Sequence, residues 1–168
     1  GDRLIVDLDN ALSAATTIHW HGLKVPFDMD GVTWMRSPVN PGESFRYEFD
    51  LNQAGTFWYH PHLNTEQQVE GGLYGALIVS DPNDPQPDDD LVLMFDSAEE
   101  LRPIGSSSTA IGQHGHGKVQ RRWLINGQEH PTYSGQGAQI IRARLINVSN
   151  HGFLALSWPA MEHIGSDQ

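Results

Sequence analysis

Two pairs of histidines could do chemistry in this sequence. His19 and His21 flank Trp20 in TIHWHGLKVP, and His60 and His62 flank Pro61 in FWYHPHLN. In a strand, residues i and i+2 face the same side, so His19 and His21 project together with Trp20 on the opposite face. The second pair does the same if extended, and Pro61 favours an extended His60. Pro61 also marks a strand end or edge, where no ladder donor is missed. Two imidazole pairs on neighbouring strands can converge, and an all-imidazole site suits copper, zinc, nickel or iron. A single H-x-H in a β protein is more often surface or core decoration than a ligand pair. Two pairs, both in aromatic strands and both followed by a Gly or Asn turn, point to a metal site.

The elements that must position them have a period of two, not 3.6. SFRYEFDL alternates: Phe45, Tyr47, Phe49 and Leu51 point one way, and Arg46, Glu48 and Asp50 the other. That is the pattern of a half-buried strand. RLIVDLD, GTFWYH, LYGALIVSD, DLVLMFD, QIIRARLINVS and GFLALSW are further strand candidates, rich in β-branched and aromatic residues. Turn signals separate them at Asn40 to Gly42, Gln53 to Gly55, Glu70 to Gly72 and Asn126 to Gly127. The one helix-like piece is SAEELR, Ser97 to Arg102, too short to stand alone. An all-β sandwich is expected. SDPNDPQPDDD, Ser80 to Asp90, is acidic, proline-rich and without an apolar residue, and it reads as a solvated connector between two β segments. A second soft stretch, RPIGSSSTAIGQHGHGK, reads as a long mobile loop.

Composition bounds the function classes. The chain has 168 residues, a formal net charge of −11 and no cysteine. The charge argues against nucleic acid or an anionic membrane surface as a partner. Without cysteine there is no disulfide and no thiolate metal site within the chain. No apolar run approaches the roughly 20 residues that a membrane helix needs, and no signal peptide is visible. The abrupt, strand-like start GDRLIVDL and the close at GSDQ suggest a processed or truncated piece.

Two other H-x-H designs fit less well. A cupin wants a glutamate four or five residues after the pair, where Lys24, Val25 and Pro26 stand here. A carbonic anhydrase-like site wants one pair and a single distant histidine. Neither accounts for the second pair. The stretch from Thr16 to Val79 resembles the N-terminal cupredoxin domain of the multicopper oxidases, which include laccases, bilirubin oxidases and bacterial cuprous oxidases. The matching segments are TTIHWHGL, DGV at Asp30 to Val32, PVNPGESFRYEFDLNQAGTFWYHPH and GGLYGALIV. HPH and LNTEQQVEGGLYG look most like the cuprous-oxidase branch. RRWLINGQEHP and RARLINVSNHGFLALSW are similar to the start of that family's second domain.

The resemblance implies a cupredoxin-like Greek-key β-sandwich over residues 1–80 with its first strands missing. A linker over 81–90 and part of a second cupredoxin domain over 91–168 would follow. It implies copper, with His19 matching a type 2 ligand and His21, His60 and His62 matching ligands of the paired type 3 coppers. Asp30 matches an acidic residue that bonds water near this trinuclear centre and supplies protons, although Asp before Gly is also a common way to make a tight turn. The implied partners are O2, a reducing substrate such as a phenol or Cu(I), and a C-terminal cupredoxin domain. That domain brings the other four histidines and the cysteine of the type 1 copper. A periplasmic or secreted location goes with the family. The rival is a non-catalytic copper-binding cupredoxin module that needs only the four histidines. Open sheet edges would invite association with another chain.

The remaining candidates read more plainly. His114 and His116 are expected to be solvated loop residues, and His130, His151 and His163 structural or surface residues. Trp20, Trp58 and Tyr59 are expected to pack the core rather than relay electrons, and Trp34 and Met35 to pack as well.

Overall fold

The computed structural model describes residues 1–101, 119–137, 139–150, 152–157 and 161–165. Eight strands are present among them: β1 Arg3–Asp9, β2 His19–His21, β3 Ser44–Asp50, β4 Gly55–His60, β5 Gly75–Val79, β6 Asp89–Leu101, β7 Val119–Ile125 and β8 Ile141–Asn147. They form three sheets: β1-β3, β2-β4-β5 and β7-β6-β8. The fold is a strand-dominated, cupredoxin-like β-sandwich. Among the described residues no helix is long and apolar enough to cross a membrane.

The alternation in SFRYEFDL is the wall of this sandwich. β1 and β3 pair antiparallel with Leu4 opposite Phe49, Val6 opposite Tyr47 and Leu8 opposite Phe45. These residues turn inward, while Arg46 reaches Asp7 on the outer face at 2.6 Å. Opposite this wall stands β2-β4-β5, and the joint between them is aromatic. Trp20 is 3% exposed and meets Tyr47 and Phe49 edge-on, with ring centroids 5.6 and 5.3 Å apart. Leu23 and Phe57 complete the core. Burying each phenylalanine contributes roughly 1.5–3 kcal/mol.

Tyr47 is fully buried, and its hydroxyl accepts the Ile18 N–H at 2.9 Å. That bond fixes the chain one residue before β2. A backbone N–H left without its acceptor in such a place costs free energy.

Several expectations are corrected here. Ser97 to Leu101 is not a helical turn; it continues β6 and pairs with β7 from Ser97↔Trp123 to Leu101↔Val119. Cross-strand pairing overrides the local helix preference of Ala and Glu. The α-helix lies instead at Thr65–Glu70 (α1), in the segment that follows the second histidine pair. Six residues are too few to hold a helix in water. This one is tied down by Gln68, whose carbonyl accepts from Thr16 Oγ1 at 2.7 Å and whose amide donates to the Ala15 carbonyl at 3.0 Å. A 3-10 turn also forms over Phe27–Met29. Residues 152–157 of GFLALSW are not a strand. Trp34 does not pack, being 82% exposed.

The acidic connector is better tied than its composition suggests. β6 begins at Asp89 and runs parallel to β8, with Asp89 opposite Ile141. Arg144 grips both oxygens of Asp90 at 2.8 Å and also reaches Thr56 Oγ1 on β4 at 2.8 Å. Arg142 donates to the Pro85 carbonyl at 2.6 Å. Buried Asp96 accepts from the Tyr74 hydroxyl at 2.9 Å. Two arginines on β8 thus hold the connector, and Arg144 and Asp96 link the third sheet to the first sandwich.

Tyr47→Phe keeps the ring and removes only the acceptor for Ile18. It should cost about 1–3 kcal/mol, read as a lower urea midpoint with an unchanged slope.

Candidate metal centre

The antiparallel register of β2 and β4 places His19 opposite His60, Trp20 opposite Tyr59 and His21 opposite Trp58. Because strand side chains alternate, His19, His21, Trp58 and His60 share one face of this ribbon. Trp20 and Tyr59 share the other face, toward the core. The core thus fixes which face the histidines take.

Three of the four expected ligands come together tightly. One ring nitrogen from each of His19, His21 and His60 lies within 4.8 Å of the others. His21 Nδ1 and His60 Nε2 are 3.3 Å apart. That spacing suits two nitrogens on one ion at the usual 2.0–2.1 Å bond length, at roughly tetrahedral angles. His62 stands beside the group, its ring centroid 5.2 Å from that of His19 and 6.3 Å from that of His60. β4 ends at His60, as Pro61 foretold, so His62 does not continue the ladder. Its N–H donates instead to Thr17 Oγ1 at 2.9 Å, which pins the bend to the start of β2.

Ring tautomers follow from the neighbours. His60 Nδ1 lies 2.9 Å from the Pro61 carbonyl. A carbonyl only accepts, so Nδ1 carries the proton and Nε2 the lone pair. His19 Nδ1 lies 2.9 Å from the Asp30 carbonyl and 3.2 Å from its carboxylate Oδ1. Both are acceptors, which leaves the lone pair of His19 on Nε2. Such partners orient a metal-bound imidazole and raise its basicity. The Asp30 carboxylate thus lies directly against the His19 ring.

Asp30 is held there by the glycine that follows. Gly31 has φ +73°, and a Cβ on it would stand 1.9 Å from the Ile18 carbonyl. The MDGV turn therefore lies hard against the strand that carries His19. Trp20 Nε1 donates to the Met29 carbonyl at 3.1 Å and ties the same turn from the core side.

The cluster disfavours its own protonation. Burial, with smaller help from charge on His19, His21 and His62, holds the His60 pKa down at about 4 against the Pro61 carbonyl, which raises it. Burial likewise lowers His21, followed by the influence of His19 and His62. Neutral imidazoles with available lone pairs are the form a metal takes.

Some residues fall elsewhere. His130 and His163 are exposed. His114, His116 and His151 lie outside the described residues. Trp20 packs in the core and Tyr59 against it, as expected, but Trp58 does not. Its indole stacks on His60 at 4.2 Å and on His21 at 4.9 Å. Its place two residues before His60 on one strand was the available signal.

The family model described as multicopper oxidase matches residues 1–84. Copper resistance protein A of Pseudomonas syringae pv. tomato is 34% identical over 126 residues, covering 73% of this chain and 20% of the relative. Multicopper oxidase mco of Staphylococcus haemolyticus is 32% identical over 179 aligned positions, covering 99% of this chain and 39% of the relative. The crystal structure of a multi-copper oxidase from Pseudomonas thermotolerans superposes with a TM-score of 0.74 at 35% identity, covering 89% of this chain and 37% of that one. The chain thus spans well under half the length of these relatives.

Two outcomes test the geometry. Gly31→Ala should destabilise by more than about 1 kcal/mol, measured by thermal melting. It should also break the Asp30 contact, seen as a changed His19 ring signal in NMR. The second test is pH. The unfolded chain protonates His60 near 6.5 and the folded one only near 4. Unfolding therefore takes up a proton in that window, and stability falls as pH drops from 6.5 toward 4, then levels for this group. In the metal-free protein, His60→Gln should flatten that part of a urea-midpoint profile.

Proposed function

The chain belongs to the multicopper oxidase family, and on that footing we propose that it carries half of the histidines of a trinuclear copper centre. In this reading His19 serves the type 2 copper, and His21, His60 and His62 serve the type 3 pair. Four further histidines, and the type 1 copper with its cysteine, come from parts of the oxidase outside these 168 residues. Residues 1–80 are one cupredoxin domain, 81–90 the connector and 91–168 part of a second. For the whole oxidase the reading brings O2 and a reducing substrate, phenol-like or Cu(I), and a periplasmic or secreted setting.

One observation carries the reading: nitrogens of His19, His21 and His60 gather within 4.8 Å in a chain of this family. The 3.3 Å approach of His21 to His60 supports their sharing one ion. Copper held there supplies the one-electron steps by which O2 is reduced to water. The protein's part is to hold and orient. Backbone carbonyls and Asp30 fix the tautomers of His60 and His19, and burial keeps His60 neutral. Asp30 has a second task in this reading. Reducing O2 to water takes up four protons, and an imidazole fixed on copper cannot cycle them. A carboxylate in contact with the ligand shell can.

Purified chain should bind Cu(II) without intense blue absorption, because that band needs a copper–thiolate bond and the chain has no cysteine. Replacing His60 and His62 together by alanine should lower the copper retained after dialysis. Unchanged stoichiometry would assign the metal to other histidines and sink the reading. In the complete oxidase, Asp30→Asn should keep normal copper content and lower kcat by about 100-fold, the scale of a lost proton-transfer group. Retained kcat with lower stability would make Asp30 a turn residue only.

A further inference from the structure

We propose that Trp58 is a positioning residue of the histidine cluster, the indole face that sets the ring plane of His21 so that its Nδ1 meets His60 Nε2 at one metal ion. The inference rests on the reading that His21 and His60 are metal ligands. It begins from a difference among the three clustered imidazoles. His19 is oriented through Nδ1 by the Asp30 carbonyl and carboxylate. His60 is oriented through Nδ1 by the Pro61 carbonyl. His21 has no such partner among the described residues: its one hydrogen-bond contact is Nδ1 against His60, the atom that faces the metal position. A metal-bound histidine ordinarily has its second nitrogen held by a carboxylate, carbonyl or water. The torsion that turns an imidazole is broad and roughly two-fold, so a ring without that bond swings unless something lies against its face.

Trp58 lies against it. The register sets His21 directly opposite Trp58, and the two rings stack at 4.9 Å with 28° between their planes. The same indole stacks on His60 at 4.2 Å and 22°. One rigid plane therefore fixes two imidazoles whose nitrogens stand 3.3 Å apart. The other neighbour of Trp58 in the sheet is Ala76 on β5, whose methyl group leaves the indole room to lie flat. Packing alone does not explain this placement. Phe57 and Tyr59, on either side in the chain, face the core, while Trp58 shares the histidine face.

Trp58→Phe keeps an aromatic face, and Trp58→Leu keeps apolar bulk without one. Both are titrated with Cu(II) sulfate, followed by equilibrium dialysis and electron paramagnetic resonance, beside urea unfolding of the metal-free proteins. The Phe variant should bind as the wild type does. The Leu variant should lose about tenfold or more in affinity, as a missing orienting partner does, with an altered copper hyperfine pattern. Its metal-free stability should stay close to that of the Phe variant. Wild-type affinity and hyperfine pattern in the Leu variant would overturn the proposal while leaving the copper site standing. A wild-type chain that binds no Cu(II) would overturn the copper reading itself. If the Leu variant does not fold, the metal-free wild type decides by NMR. His21 ring protons shifted upfield with contacts to Trp58 support the proposal, and an averaged, unshifted His21 ring overturns it.

Discussion

The pairing of His19 with His60 across β2 and β4 is the constraint on which the site depends. β2 has only three residues, so its own ladder cannot hold it. A slip of one residue would turn Trp20 to the histidine face and both histidines into the core. The register is held from outside the strand. Buried Trp20 locks one face against Tyr47 and Phe49. The Tyr47 hydroxyl takes the Ile18 N–H, and Thr17 takes the His62 N–H. The aromatic core and the histidine face are thus two sides of one arrangement.

Gathering several imidazoles sets a second condition. Each must remain neutral and each must point its lone pair the same way. Burial favours the first at His60 and at His21. The second is met by different means at each ring: an aspartate turn for His19, a proline carbonyl for His60 and an indole face for His21. The three devices come from three places in the chain, and β2 and β4 bring them together. Gly31 is part of the first, since a side chain there would drive the Asp30 turn off the strand.

The acidic connector illustrates how composition understates a segment. Its aspartates do face water, yet Asp90 is clasped by Arg144, which also reaches Thr56 in the first sandwich. The Tyr74 hydroxyl makes a second tie through buried Asp96. The strand that follows the connector is therefore bonded to the sandwich that carries the histidines.

Much of this was legible from sequence because it is local. Period-two alternation predicted β3, and β-branched and aromatic content predicted β1 and β4, each within a residue, since both signals are local to the strand. The i, i+2 rule placed His19 and His21 on one face, and Pro61 marked the end of β4. What sequence missed depends on partners distant in the chain. Ser97 to Leu101 is a strand because β7 pairs with it, and Thr65–Glu70 is a helix because Gln68 finds Thr16 and Ala15. The sequence does not reveal that Trp58 faces the histidines, because an aromatic in a strand has two faces available, and alternation alone does not say which one is buried. The direct contact of Asp30 with His19 was equally hidden, since eleven residues separate them. The sequence by itself determined the four histidines and the strands that carry three of them. Only the tertiary structure decided which nitrogens meet and what holds each ring, because register and ring orientation are set by contacts between segments that lie far apart along the chain.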